Sequence, residues 1–259
     1  MMESPRSRAT AVCALLSLVV FAGACGDSTR APRSGGTVVI GAGSDLDHAN
    51  PLVSVDAWTS EVLRFALFTP LVRYGEDLSY EPYLAESWET SGDTAVTFHL
   101  RDDVRWHDGT RTTAHDVLFT YERATDPETG FPNSDYFNRW TGGEVLDSFT
   151  IRFTFQPHAE PLAGLPFTPV VPRHLLDSIP AAQLRQAAFN QHPVGNGPFR
   201  FVSQRSNDRW VFERNPDFPE GLGGPPNLDR LVWRVIPENS AQLAEIRAGE
   251  ADLILQPRP

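Results

Sequence analysis

Residues 81–127, EPYLAESWETSGDTAVTFHLRDDVRWHDGTRTTAHDVLFTYERATDP, carry a strand, a tight turn and a capped helix in one run. Val96, Phe98 and Leu100 alternate with Thr97, His99 and Arg101, the period of two that marks a strand with one buried face. Asp108-Gly109 is a tight-turn dipeptide and closes the strand pair. Thr113 and Asp116 then have capping-box spacing, in which the hydroxyl caps early amides and the carboxylate reaches back. They predict a helix through about Arg123, stopped by Asp126-Pro127.

Outward from this run the same signals alternate. Val38-Val39-Ile40 predicts a first strand, and residues 43–52, GSDLDHANPL, are turn-rich. Trp58, Val62, Phe65 and Ala66 are spaced as one face of a helix from Asp56 to Leu67. Ile151, Phe153 and Phe155 predict a further strand, and Pro180 opens a helix ending near Phe189. Residues 195–216 read as a hairpin and DRLVWRVI, 229–236, as a strand. Asn239 or Ser240 caps a helix over Ala241–Ala248, Gly249 stops it, and residues 251–255 form a last strand. The order implies a mixed α/β fold.

The 259 residues are 41% hydrophobic and 21% charged, which is globular composition and ample for a core. Against 33 acidic residues stand 22 basic ones, all arginine, for a net charge of -11. Nucleic acid is therefore not an expected partner, since phosphate binding needs a basic face. Residues 1–24 read as an export signal: Arg6 and Arg8 precede an apolar run too short to span a membrane. Ala22-Gly23-Ala24-Cys25 suits ordinary signal peptidase as A-x-A. It also suits lipoprotein processing, with Cys25 acylated, although Ala22 stands where a lipobox usually has Leu. The small, polar residues 25–36 favour the lipid reading, because they suit a flexible tether. Cys13 is lost with the signal, so a single cysteine remains and no disulfide is expected.

Several constellations carry chemistry on paper. His107-Asp108 and His115-Asp116 are His-Asp dipeptides eight residues apart, as in metal-dependent phosphohydrolases. A turn and a helix cap account for the same residues, and no spacing here enforces convergence on a metal. His48, His174 and His192 have no histidine one helical turn away. No G-x-S-x-G elbow occurs. Gly195-Asn196-Gly197-Pro198 lacks the Lys-Ser/Thr ending of a phosphate loop, and a turn beside a ligand cleft is the better reading. Of the six tryptophans, Trp58 and Trp140 adjoin turn-rich segments, where aromatic side chains line clefts.

The run at 81–127 resembles the family 5 extracellular solute-binding proteins of bacterial ABC importers, through LAESWE, the FHLR strand, the WHDG turn and the TAHDV helix. HPVGNGPFRF…ERNPDF and VIPENSAQLAEIRAGEADLI are similar to two later family blocks, in collinear order from about residue 36 to 256. Asn196 stands where the family has Thr, and His115 where it has an acid. The resemblance implies a type II-like periplasmic-binding-protein fold, a mixed sheet with flanking helices. Family members continue past the third block into a second lobe, so residues 37–259 are expected to be the N-terminal lobe only, an incomplete domain. The resemblance also implies a monomer without a cofactor or bound metal, capturing an oligopeptide, a dipeptide or a similar small solute. Its partners would be the permease and ATPase subunits of an importer, and its place the outer face of the cytoplasmic membrane or the periplasm. At the cleft it places Asp56, Ala57 and Trp58, with Tyr136, Phe137 and Trp140 as a second wall and Asn196 in the glycine turn.

Two functions thus compete: a lipid-anchored binding module, and an exported metal-dependent hydrolase using His107, Asp108, His115 and Asp116. Chelator sensitivity separates them.

Overall fold

The computed structural model describes residues 35–255. The signal, Cys25 and residues 25–34 of the tether lie outside the described residues. In chain order the elements are β1 (Thr37–Ala42), α1 (Ala57–Val62), β2 (Val72–Tyr74), β3 (Tyr80–Pro82), β4 (Ala85–Ser91) and β5 (Ala95–Leu100). Then come α2 (Ala114–Thr125), β6 (Trp140–Asp147), β7 (Thr150–Phe155), α3 (Arg173–Leu176), β8 (Phe199–Arg205) and β9 (Arg209–Arg214). β10 (Arg230–Val235), α4 (Asn239–Ala248) and β11 (Leu253–Ile254) complete them.

Two larger sheets organise the chain, and β2 and β3 pair separately as an antiparallel hairpin. One has the order β11-β1-β10-β9-β8, with β1 parallel to both β10 and β11 and the remaining pairs antiparallel. The other is antiparallel in the order β4-β5-β7-β6. Its register sets Val96 opposite Phe153 and Phe98 opposite Ile151, all four buried. The alternation in the sequence is thereby converted into cross-strand apolar pairs. α2 lays Val117, Thr120 and Ala124 into the core. Asp116 holds its start, accepting from the Thr113 N–H at 2.8 Å, while its second oxygen accepts from the Arg173 N–H of α3 at 2.9 Å. Gly109 takes φ +91°, as the Asp-Gly turn requires.

Three local expectations are corrected. The helix after Asp56 becomes a wider π-type turn over Leu63–Leu67, so Thr59, Leu63, Ala66 and Leu67 face inward and Phe65 is left 64% exposed. The segment after Pro180 makes two 3-10 turns, Ala181–Gln186 and Ala188–Asn190, instead of an α-helix. Its buried Ala181 and Leu184 are three apart, which suits three residues per turn. α4 begins at Asn239, with Glu238 at the cap position and no side-chain cap. Gly249, at φ +74°, does end it.

Candidate functional site

Because β1, β10 and β11 are parallel, their carboxyl ends finish on one side of the sheet. Gly43-Ser44, Pro237–Ser240 and Leu255, just past those ends, bound a crevice of about 470 Å³, together with Trp58 and Gln242. Open α/β sheets place ligands at this edge.

The turn-rich segment 43–56 is held down by its own carboxylates. Asp45 accepts from the indole N–H of Trp210 at 2.7 Å and from the Asn207 N–H at 2.7 Å. Asp47 accepts from Ser54 Oγ at 2.7 Å and from the N–H groups of His48, Val55 and Asp56. Burial raises the pKa of Asp47, but these hydrogen bonds outweigh it and hold the carboxyl below its ordinary value. Asp56 caps α1, its Oδ1 accepting from the Thr59 N–H at 2.7 Å and Thr59 Oγ1 at 2.9 Å. That oxygen is committed to the helix. Next to it, half-buried Trp58 lines the crevice, whereas Ala57 is exposed and is not among the lining residues. Asp47 and Gln242 were missed in the sequence, although the Asx-rich stretch from Asp45 to Asn50 is a turn-organising signal.

The second group divides. Tyr136 is 40% exposed and stacks on Phe167, ring centroids 5.9 Å apart. Phe167 also meets the Arg64 guanidinium at 4.9 Å, beside a hollow of about 880 Å³ between the β2–β3 hairpin and the π-type turn. Phe137 and Trp140 do not form an open wall. They are 4% and 7% exposed and pack edge to face at 5.3 Å, with Trp140 against Phe153 at 4.7 Å. Three aromatics so close in sequence were read as one surface, but β6 turns the last of them into the sheet core.

Asn196 is fully buried. Its Oδ1 accepts from the Thr69 N–H at 2.9 Å and its Nδ2 donates to Thr112 Oγ1 at 3.3 Å, so it ties the glycine loop to the π-type turn and to the chain before α2.

The four hydrolase candidates diverge. His107 is bound to the glycine loop through both ring nitrogens. Asp108 accepts from His174 Nε2 at 2.7 Å. His115 is exposed and Asp116 is the helix cap. Among the described residues no group of three or more His, Cys, Asp or Glu side chains is placed to hold a metal ion. Nothing in this geometry supports the hydrolase.

Known proteins give the same picture. The family model for bacterial extracellular solute-binding proteins, family 5 Middle, matches residues 79–259. The oligopeptide-binding protein AppA of Bacillus subtilis is 28% identical over 257 residues, which cover 94% of this chain and 47% of that protein. Its structure in complex with a nonapeptide superposes with a TM-score of 0.79, covering 85% of this chain and 44% of the other. NikZ from Campylobacter jejuni, in complex with Ni(L-His), is 30% identical at a TM-score of 0.74, covering 83% and 42%. The chain spans about half the length of the curated relatives it matches. Its fold is the mixed α/β fold of the type II periplasmic binding proteins. With the family model matched over residues 79–259, the chain belongs to the bacterial extracellular solute-binding proteins, family 5.

Proposed function

We propose that this chain captures a peptide or similar small solute outside the cytoplasmic membrane for an ABC-type importer and hands it to the permease and ATPase subunits. The crevice at the ends of the three parallel strands, with Trp58 at its mouth, carries this reading. Exposed backbone and small side chains at Gly43, Ser44 and Ser240 suit a ligand recognised through its own peptide groups, and Trp58 supplies an apolar plane. The protein acts by binding, without covalent chemistry. The AppA and NikZ structures, with a peptide and a metal chelate, support this class of solute. Capture follows from closure of two walls on the solute, each contributing contacts that favour the closed state.

The chain works as a monomer, exported through residues 1–24 and held at the membrane by a lipid on Cys25. Residues 25–36 serve as the tether, and 37–259 belong to the binding domain. Two measurements test this. The melting temperature of the full chain rises when a peptic digest of casein is added, by mass action on the folded state; an unchanged melting curve contradicts capture of peptides. Radiolabelled palmitate is incorporated in a bacterial host and is lost in Cys25→Ser; equal labelling of that variant contradicts the anchor.

A further inference from the structure

The hollow of about 880 Å³ beside the π-type turn shares no lining residue with the crevice, and peptide capture there does not use it. Aromatic rings make much of its wall: Phe65, Tyr74, Tyr83 and Phe167 line it, with Pro70 and Pro166 between them. Phe65 stands at the centre of the π-type turn, Leu63–Leu67, and is 64% exposed. Turns of this kind are frequent at functional sites, and this one carries a phenyl ring out of the core into water.

These rings already take cations. The Arg64 guanidinium lies 4.5 Å from the Phe65 centroid and 4.9 Å from that of Phe167. Arg73 lies 5.4 Å from the centroid of Tyr83. A positive charge is drawn to the electron-rich face of an aromatic ring. Arg64 covers one face of Phe65, and the rest of that exposed ring is open to the hollow.

Charge decides which further ligand fits. Two arginines and three carboxylates line the hollow, but the arginines are neutralised by partners of their own. Both oxygens of Glu61 accept from Arg64 Nη2, at 2.7 and 2.8 Å, and Glu81 accepts from Arg73 Nε at 3.1 Å. Glu76 and Asp77 remain, and among the described residues neither forms an ion pair. The β2–β3 turn puts both at the rim, closed by the Leu78 N–H donating to the Gly75 carbonyl at 3.0 Å. Asp77 spends Oδ1 on the Ser79 N–H and hydroxyl, at 3.0 and 2.6 Å. An anion would face these two carboxylates, and a neutral ligand would leave them without a counter-charge. A cation on an apolar body complements both the rings and the carboxylates.

We propose that this hollow is a second ligand site, separate from the crevice, for an alkylammonium cation. Its methyl or methylene groups pack on Phe65 and Tyr74, and Glu76 and Asp77 balance its charge.

Two probes of one shape test it: choline, and the neutral alcohol in which carbon replaces the quaternary nitrogen. In calorimetric titrations of the full chain, choline binds at least about tenfold more tightly than the alcohol. Choline binding falls about tenfold in Phe65→Leu, and again about tenfold relative to wild type in the double variant Glu76→Gln, Asp77→Asn. All three side chains are exposed, so these variants keep the fold. The comparison of choline with the alcohol needs no variant and stands even if one fails to fold. Absence of choline binding, or equal binding of the two probes, overturns the site. Choline binding that persists undiminished in folded Phe65→Leu also overturns it, and its loss in Trp58→Ala would then put the cation in the crevice. None of these results bears on peptide capture, which is measured with peptides alone.

Discussion

The imidazole of His107 spans the glycine loop between Gly195 and Gly197. Its Nδ1 accepts the Gly195 N–H at 3.2 Å, so Nε2 carries the proton and donates to the Gly197 carbonyl at 3.0 Å. The backbone completes the clasp, the His107 N–H donating to the Gly195 carbonyl at 2.7 Å and the Gly197 N–H to that of Leu67 at 2.8 Å. One neutral side chain on the turn after β5 thereby fixes the loop leading into β8.

This clasp makes stability acid-sensitive. Burial pushes His107 down to about 4, and Arg200 nearby adds to the shift. A second ring proton would also face the Gly195 N–H, donor against donor. Between about pH 6.5 and 4 the unfolded chain holds the proton that the folded chain refuses. The contribution of His107 is therefore complete above about pH 6.5 and is lost as pH falls to about 4, on the order of 2 kcal/mol for a partly exposed ring. Denaturant melts at pH 7 and pH 4.5 measure it. The loss should be smaller in His107→Gln, and an identical loss in that variant refutes the assignment.

Gly195→Ala is expected to unfold the chain or to cost more than about 3 kcal/mol. A Cβ there would sit 1.8 Å from the Leu67 carbonyl oxygen, a backbone atom that cannot swing aside. Gly92→Ala meets no neighbouring atom, although its φ of +62° adds strain, and serves as the mild comparison. Urea midpoints of the two variants decide it, and equal midpoints contradict the close approach.

Trp140→Ala and Tyr136→Ala separate core from surface. The first removes a ring packed against Phe137, Phe153 and Phe155 and should cost about 3–5 kcal/mol. The second removes an exposed ring stacked on Phe167 and should cost under about 1 kcal/mol. Similar losses in chemical denaturation would place both rings in the same environment, contrary to the structure.

What the sequence made legible follows from periodicity. β5 and β7 were readable because their buried faces alternate strictly, and the Thr113–Asp116 spacing marked the start of α2. Trp58 was singled out by the turn-rich stretch before it and by the family resemblance. The π-type turn was hidden, since its apolar residues fit an ordinary helix equally well, and only packing shows that Phe65 is outside. Asn196 was legible as an unusual residue in a glycine turn, but its partners Thr69 and Thr112 are 127 and 84 residues away. Gln242 gave no signal, because a glutamine in an amphipathic helix normally faces water. Pairing across such separations is set by topology, which local patterns do not carry.

Trp58→Ala is expected to weaken solute binding about tenfold with a melting temperature within a few degrees of wild type, because the ring is half-buried at the mouth of the crevice. Calorimetry with a retained peptide and a thermal melt without it make the comparison. A large fall in melting temperature would show that Trp58 serves the core instead.

The central claim is that the chain captures peptides in the crevice at the strand ends, and native mass spectrometry of the wild-type chain and Trp58→Ala after incubation with a peptic digest of casein tests it most directly. The account predicts discrete peptide adducts on the wild-type chain that are depleted in the variant. Absence of adducts on the wild-type chain, or adducts equally abundant on both, would contradict it.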